Sequence, residues 1–407
     1  MDTIERSEYV VGGVRMPRPF QIRRLGHFGI SVIDVAACKT FYTDLLGFAV
    51  SDTINFNRIF NLDDKVVGPG DGYFLRHGTD HHSFVLFPIK PMQANPAVLA
   101  DMGDNTINQV TWQVGSLKEV VDAIKWFGDL GIRIERQGRD TPGSNWHCYP
   151  RGLDGHVNEL FYGIEQVGWN GRSKPGALHS IRYMEPPQLP HVSEFAEVEE
   201  VRARGVDVES GYRWVEKGEA KFDVSGVLLP RPFKISRIGP IRLFVKDLDK
   251  AIDFYRDMLG LKVTEEIQWN SHRCAFLRAN TEHHSLALYP IALRRELGLS
   301  EHTSLMACGM QVGDYAQLRN AEAFLKDHGV TIRRLPAELF PGIDYSALAI
   351  DPSGHAVHLY YYMEQIGWDG KPRPAAMRPK IDNDNWPVTV AAAPDTFMGE
   401  SFMGPWG

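Results

Sequence analysis

The spacing of apolar positions predicts short strands and helices that recur in one order. Residues 24–32 alternate as in a strand, and residues 35–46 show helical spacing that stops at Gly47. Three strand-like runs follow, near 48–56, 73–77 and 82–87. The same succession recurs over 107–162, 236–290 and 303–363. The pattern therefore predicts four βαβββ units.

Internal repeats indicate that these four units form two homologous halves. Residues 16–32 read MPRPFQIRRLGHFGISV, and residues 229–245 read LPRPFKISRIGPIRLFV. Each half ends on a related motif, EQVGWNG at 165–171 and EQIGWDG at 364–370, and we interpret the GWNG and GWDG parts as structure that closes the fold. Motifs that keep their order in both halves indicate a duplication.

One insertion distinguishes the first half from the second. His27 aligns with Pro240 at an offset of 213, whereas His82 aligns with His284 at an offset of 202. The first half therefore carries 11 extra residues, within about 57–72. Because surface loops tolerate insertions and often carry function, this loop suggests that the halves have different roles.

The predicted fold class is α+β, with two tandem paired domains, each an open, cup-shaped mixed sheet with flanking helices. The first paired domain spans 1–172, a linker spans 173–222, the second paired domain spans 223–374, and a tail spans 375–407. A short surface helix is expected in the linker, in SEFAEVEEVRARG. The tail is a wrap-around arm, a partner-binding arm or a disordered segment.

Composition excludes several classes of protein. The 407 residues are 43% hydrophobic with a net charge of −7, which is typical of a globular chain and argues against a nucleic-acid partner. No apolar stretch approaches the roughly 20 residues of a membrane span, and the N-terminus lacks the pattern of a signal peptide. The four cysteines are widely spaced, as in reduced thiols, so we expect a cytoplasmic protein.

Paired βαβββ units of this kind resemble the vicinal oxygen chelate superfamily, which includes glyoxalase I and the type I extradiol ring-cleavage dioxygenases. The resemblance covers residues 24–170 and 237–369. It implies that two units curl into a cup with a metal ion at the bottom. It also implies that the metal ligands come from the first strand of each unit and the last strand of the second.

The resemblance implies a metal site in the first half. The matching residues are His27 in LGHFGISV, Gln109 in INQ, where dioxygenases have a histidine, and Glu159 in VNELFY. The corresponding residues of the second half are Pro240, Ala307 and His358. Proline and alanine side chains cannot bind a metal, so the second half is expected to be structural. His27 as a packed histidine, and Gln109 as a core hydrogen-bonding residue, remain alternatives.

Two further residues match the dioxygenase pattern. His82, in the HHSFVLF segment, is similar to the family's acid–base histidine, and Tyr149 lies ten residues before Glu159, as the family's substrate-facing tyrosine does. Because the histidine pair recurs in the second half, a structural role for His82 stays open, as does core packing for Tyr149. Another family histidine is replaced by Asp140.

The resemblance implies an Fe(II)-dependent extradiol-type dioxygenase that cleaves a catechol or related hydroxylated aromatic with O2, with Mn(II) or Zn(II) as alternative metals. It also implies a homo-oligomer. Gln109 is a weaker ligand than histidine, although glyoxalase I gives a family precedent for glutamine. A non-oxidative metal-dependent lyase, isomerase or hydrolase and a metal-free protein that binds small aromatics are the alternatives. Trp112, Trp146, Phe84 and the 57–72 loop are expected to line the pocket.

Overall fold

The structure, a computed structural model, has two eight-stranded mixed sheets with the same strand order. It describes residues 8–94, 106–139, 142–143, 145–179, 184–186, 188–299 and 303–391. A hairpin of β1 (Tyr9–Val11) and β2 (Val14–Met16) precedes the first sheet. The first sheet contains β3 (Ile22–Val32), β4 (Ala49–Asn55), β5 (Asp71–Arg76), β6 (Phe84–Pro88), β7 (Ile107–Val114), β8 (Ile134–Arg139), β9 (Trp146–Pro150) and β10 (Asn158–Tyr162).

The strand order of the first sheet places three strands from distant parts of the chain side by side. The order is β4-β5-β6-β3-β7-β10-β9-β8. Strand β3 is antiparallel to β7, and β7 is parallel to β10. Because side chains on one face of adjacent strands are neighbours, residues of β3, β7 and β10 meet at the middle of the cup.

The second half repeats this arrangement, which confirms the predicted fold class of two tandem α+β domains. A hairpin of β11 (Phe222–Val224) and β12 (Val227–Leu229) precedes it. The second sheet contains β13 (Ile235–Val245), β14 (Lys262–Trp269), β15 (His272–Arg278), β16 (Leu286–Pro290), β17 (Leu305–Val312), β18 (Ile332–Arg333), β19 (Ser346–Ile350) and β20 (Ala356–Tyr360). Its order is β14-β15-β16-β13-β17-β20-β19-β18.

Helices connect the strands, and polar residues cap several of them. The side chain of Asp34 accepts a hydrogen bond from the Ala37 amide at 2.9 Å, and Ser116 and Asp314 cap the two longest helices. The α-helices are Val35–Thr40, Phe56–Phe60, Asp64–Val67, Ile89–Ala94, Leu117–Asp129, Gly176–His179, Glu194–Ala203, Leu248–Asp253, Leu293–Glu296 and Tyr315–Asp327. A π-helical turn, Phe41–Leu45, completes the helix predicted over 35–46. The helix Glu194–Ala203 lies within the segment SEFAEVEEVRARG.

One apolar core joins the two halves. Phe28 and Ile30 of β3 belong to the same buried cluster as Ile241 and Leu243 of β13. Polar contacts cross the same boundary between the following atoms: Tyr42 Oη and Asp351 Oδ2 at 3.1 Å, His156 Nε2 and Ser304 Oγ at 2.8 Å, and His355 Nε2 and the Ser31 carbonyl at 3.0 Å. The two sheets therefore pack against each other on the faces opposite the cups.

The GWNG and GWDG motifs differ from their expected role. The segment before each tryptophan does close the fold, since the Val167 amide donates to the Thr79 carbonyl at 2.7 Å. The equivalent Ile366 amide donates to the Thr281 carbonyl at 2.6 Å. Trp169 and Trp368 themselves are fully exposed, so the prediction that the complete motifs are closing structure was wrong.

The described part of the tail lies against the second half. Arg378 pairs with Glu265 at 2.6 Å, and Trp386 packs under the guanidinium of Arg334 at 3.8 Å. All four cysteines are buried and free of disulfides. None of the described helices combines the length and the apolar character needed to cross a membrane.

Candidate metal centre

The three central strands of the first sheet bring His27, Gln109 and Glu159 together. Nε2 of His27 lies 3.3 Å from Oε2 of Glu159, and Nε2 of Gln109 lies 3.2 Å from the same oxygen. Glu159 is fully buried, and the other two side chains are also buried. Residues from three separate strands thus converge on one carboxylate at the bottom of the first cup.

Further donors fix the Glu159 carboxylate. The Thr111 hydroxyl donates to Oε2 at 3.1 Å, and the Asn145 amide donates to Oε1 at 2.6 Å. Burial by itself would raise the pKa of Glu159, but His27, His147 and a hydrogen bond from Tyr149 lower this pKa to about 2. Glu159 is therefore ionised at neutral pH although water is excluded from it.

The donor set fits a divalent metal ion. Two ligand atoms at about 2.1 Å from a metal, in neighbouring coordination positions, lie roughly 3.0–3.4 Å apart, which matches the spacing of His27 Nε2 and Glu159 Oε2. Within the described ranges, no group of three His, Cys, Asp or Glu side chains could hold a metal. The third donor would be the amide oxygen of Gln109, after rotation of that amide.

His82 lies beside His27 and is connected to a carboxylate. The His27 and His82 ring centroids are 4.3 Å apart. Nδ1 of His82 is 3.1 Å from Nδ1 of His81, and Nε2 of His81 is 2.9 Å from Oδ2 of Asp52. If Asp52 accepts from His81, then His81 accepts from His82, and Nε2 of His82 is left as a proton acceptor. Burial first, and then the two neighbouring histidines, keep the pKa of His82 well below 6.5.

Tyr149 and His147 share one face of β9, as period-two alternation predicts. Their ring centroids are 4.8 Å apart, and Nδ1 of His147 lies 3.9 Å from Oε1 of Glu159. The guanidinium of Arg136 lies over the Tyr149 ring at 4.4 Å. Both side chains are therefore near the bottom of the cup. Asp140 lies outside the described residues.

Aromatic side chains line the first cup, but they are not those expected. Phe84 stacks on Phe28 in the shared core, and the buried Trp112 donates to Asn158 Oδ1 at 3.0 Å. Trp146 packs against His191 of the linker. The pocket roles predicted for these three residues were wrong, because each points away from the face that carries Glu159. The apolar cluster on the cup side consists of Phe56, Phe74, Val85, Phe87 and Met92, with Ile54 and Phe60 at its edge.

The 57–72 loop contributes to this lining. It contains most of the helix Phe56–Phe60, and the Phe56 ring packs against Phe60 at 5.7 Å and Phe87 at 5.2 Å. Phe74, on β5, lies 5.1 Å from the His82 ring. The side chains that could bind a substrate ring are thus adjacent to those that could bind its polar groups.

Sequence reasoning missed Asn145, Thr111 and the phenylalanines of the cup. Thr111 could have been found, since it lies two residues after Gln109 and therefore on the same face of β7. Asn145 precedes β9 and carries no periodic signal.

The second cup has no equivalent donor set. Pro240, Ala307 and His358 occupy the matching strands, and a large apolar cluster lies on this side of the second sheet. The histidine pair persists, with Nδ1 of His283 and Nδ1 of His284 3.0 Å apart. The pair is therefore a feature of the repeat, and only in the first half does it lie beside a histidine and a buried carboxylate.

Sequence relatives of the chain are dioxygenases. It is 28% identical over 130 residues, 32% of its length, to the 2,2',3-trihydroxybiphenyl dioxygenase of Sphingomonas paucimobilis, and this match spans 42% of that enzyme. It is 25% identical over 285 residues to the biphenyl-2,3-diol 1,2-dioxygenase of Paraburkholderia xenovorans (strain LB400), covering 68% of this chain and 69% of that enzyme.

The fold is also that of a solved metalloenzyme. The Mn(II)-bound glyoxalase of Novosphingobium aromaticivorans superimposes with a TM-score of 0.53 at 16% identity, covering 88% of this chain and 90% of that one. The sequence model of the Glyoxalase/Bleomycin resistance protein/Dioxygenase superfamily matches residues 24–160 and 237–359, one segment in each half. The chain belongs to this superfamily.

Proposed function

We propose that the protein is an Fe(II)-dependent extradiol-type dioxygenase that cleaves an aryl-substituted catechol. The observation that carries the proposal is the convergence of His27, Gln109 and the ionised Glu159 beside the neutral His82. The named activities of the sequence relatives, which act on biphenyl-2,3-diol and 2,2',3-trihydroxybiphenyl, support the same substrate class.

His27, Gln109 and Glu159 would hold the metal. Iron bound there would supply the redox and Lewis-acid chemistry that joins a catechol and O2. Thr111 and Asn145 keep the Glu159 carboxylate in one orientation, which supports a ligand as outer hydrogen bonds commonly do.

His82 would accept the proton that a catechol hydroxyl releases on binding. Its Nδ1 is engaged by His81, so Nε2 is the ring nitrogen that can take the proton. As His82 becomes charged, the Nδ1 proton can move toward His81, which Asp52 stabilises in its charged form. Tyr149, which lies on β9, would form a hydrogen bond with an oxygen atom of the bound substrate.

The aromatic cluster supports a substrate larger than catechol. Phe56, Phe74 and Phe87 form an apolar surface that would bury a second ring. Phe60, in the 57–72 loop that the second half lacks, packs at the edge of this surface. We therefore expect catechol itself to bind more weakly than a biaryl diol.

Gln109 favours a second candidate, a non-oxidative metal-dependent enzyme of the same superfamily. An amide oxygen gives less charge to a metal than an imidazole does, which suits Lewis-acid chemistry on Mn(II) or Zn(II). In that case Glu159 or His82 would act as the general base on a metal-chelated substrate.

Anaerobic purification, metal analysis and an oxygen-electrode assay separate the candidates. The proposal predicts one iron per chain and O2 consumption with 2,3-dihydroxybiphenyl, with a yellow ring-opened product. A chain that holds stoichiometric iron but consumes no O2 with any catechol would contradict the dioxygenase. A chain that retains no divalent metal would contradict both candidates.

A further inference from the structure

The second cup contains a buried arginine where the first cup has glycine. Arg242 lies on β13, pairs with Ala307 across the sheet and is fully buried. Its counterpart in the first half is Gly29, which pairs with Gln109. Arg242 therefore occupies, in the second sheet, the position that lies beside the candidate metal centre in the first sheet. It packs over the Phe340 ring at 5.2 Å, inside the apolar cluster of the second cup.

No carboxylate among the described residues forms an ion pair with Arg242. Nη2 donates to Nε2 of His284 at 3.3 Å and the guanidinium also donates to the Tyr289 phenol, while Nε and Nη1 have no partner in the described part of the chain. The phenols of Tyr289 and Tyr360 face it, but each donates its own proton to a backbone carbonyl, Leu339 at 2.6 Å and Gly239 at 2.7 Å. An arginine charge buried without a partner is costly by several kcal/mol.

The directions of the hydrogen bonds show why Glu265 does not neutralise the Arg242 guanidinium. Arginine can only donate, so His284 accepts at Nε2 and carries its proton on Nδ1. That proton is donated to Nδ1 of His283 at 3.0 Å, and Nε2 of His283 then donates to Glu265 at 3.1 Å. Glu265 is also held by Arg378. The acid is therefore engaged two side chains away from the guanidinium.

His358 adds a second group without a partner. It is fully buried on β20, its ring lies 4.3 Å from Phe340, and neither ring nitrogen has a hydrogen-bond partner within the described segments. Burial and the Arg242 charge keep the pKa of His358 well below 6.5, so the ring is neutral and offers one N–H. Four buried nitrogens therefore lack partners around one phenylalanine ring. Native structures rarely leave such groups unsatisfied unless water or an ion completes them.

We propose that the second cup binds a small monoanion, a halide or the carboxylate of a small acid, between Arg242 and His358. The anion would neutralise the guanidinium and accept hydrogen bonds from Arg242 Nε or Nη1 and from the His358 N–H. The duplicated cups would then hold ions of opposite sign. This proposal is independent of the proposed dioxygenase activity, since it concerns only the second half.

Thermal unfolding of the full chain in the presence of chloride or acetate tests the site. Gluconate, a monoanion much larger than chloride or acetate, keeps the ionic strength constant as the probe anion increases to 200 mM. An anion that binds only the folded state should raise Tm saturably, by roughly 2–5 °C. A response to chloride alone identifies a halide site, and a response to acetate identifies a carboxylate site.

Two variants make the result specific. Arg242→Met should fold, since it replaces an unpaired charge with an apolar side chain, and should lose the anion response. Arg231→Met is the matched control, because Arg231 is also buried but pairs with Glu216 at 2.5 Å, and its anion response should persist. His358→Phe should weaken the response and serves as the second test if Arg242→Met does not fold.

Crystals grown in bromide should show anomalous density in contact with the guanidinium of Arg242. A wild-type protein whose Tm does not respond to either anion, or an unchanged response in Arg242→Met, would overturn the proposal. A strongly destabilised but folded Arg242→Met would also count against it, because it would show that His284 and the two phenols already satisfy the guanidinium.

Discussion

His27 and Glu159 lie 3.3 Å apart, atom Nε2 to atom Oε2, although 131 positions separate them in the chain and β7 lies between their strands. Both side chains are buried at the bottom of the first cup. A buried histidine and a buried ionised carboxylate at this spacing can share a divalent cation or a proton.

Glu159→Gln should remove metal binding while the fold is retained. The substitution keeps the shape but removes the only carboxylate of the donor set, so metal affinity should fall by at least about 100-fold. Metal per chain after anaerobic reconstitution measures the effect. Glu322→Gln, a buried glutamate paired with Arg334 in the second half, is the control and should keep the metal. Full metal content in Glu159→Gln would place the site elsewhere.

Gln109→His should tighten metal retention. Imidazole donates more charge to a divalent metal than an amide oxygen does. We expect that removing the metal will require a chelator concentration at least about ten-fold higher, which a competition titration measures. Faster metal loss would show that the amide is the better ligand in this cup.

His82→Gln should slow turnover without releasing the metal. Loss of a general base typically lowers kcat by about 10²–10⁴-fold. His328→Gln, on the surface of the second half, should leave kcat unchanged. If the His82 variant keeps its full kcat, the histidine pair is structural in both halves.

Phe60→Ala should weaken the binding of a biaryl diol more than that of catechol. Phe60 packs on Phe56 at the edge of the cup, and removing its ring costs about 1 kcal/mol, a roughly five-fold rise in KM for the larger substrate. Ile59→Ala, on the same helix, is the control, because Ile59 is 43% exposed. Equal KM changes for both substrates would argue against a ring-binding role.

His156 should make the free energy of unfolding depend on pH. Burial lowers the pKa of His156 from 6.5 in the unfolded chain to about 4, so the folded state favours the neutral ring. Its contribution is fully present above pH 6.5 and is lost as the pH falls toward 4, by up to about 2–3 kcal/mol. Urea unfolding from pH 7 to 4 measures this loss. His156→Gln can keep a hydrogen bond to Ser304 and should show a smaller loss, while an unchanged profile would contradict the assignment.

The sequence predicted the strands and the fold class well because the duplication supplied every pattern twice. It was harder to predict which face of the sheet each strand residue occupies. Phe84 was expected to line the pocket, but in β6 it pairs with Phe28 and packs in the core shared by the two halves. Strand β3 has a register shift between Leu25 and Phe28, where simple counting of faces also fails.

The environment of each buried charge could not be predicted from the sequence. Arg242 follows Pro240 in an ordinary strand pattern, and nothing local indicates that it is enclosed without an acid. Likewise, nothing in the GWNG and GWDG motifs indicates that Trp169 and Trp368 are fully exposed. Pairing and exposure depend on residues far away in the chain, which a pattern along one strand does not contain.

The core shared by the two sheets limits how this duplicated gene can evolve. A chain that lost the second half would leave the apolar face of β3 and its neighbours open to water, so the half without metal ligands cannot be discarded. On our proposal its cup binds no metal and is therefore free of selection for that role. It can accumulate substitutions such as glycine to arginine, as long as the face toward the first half stays apolar.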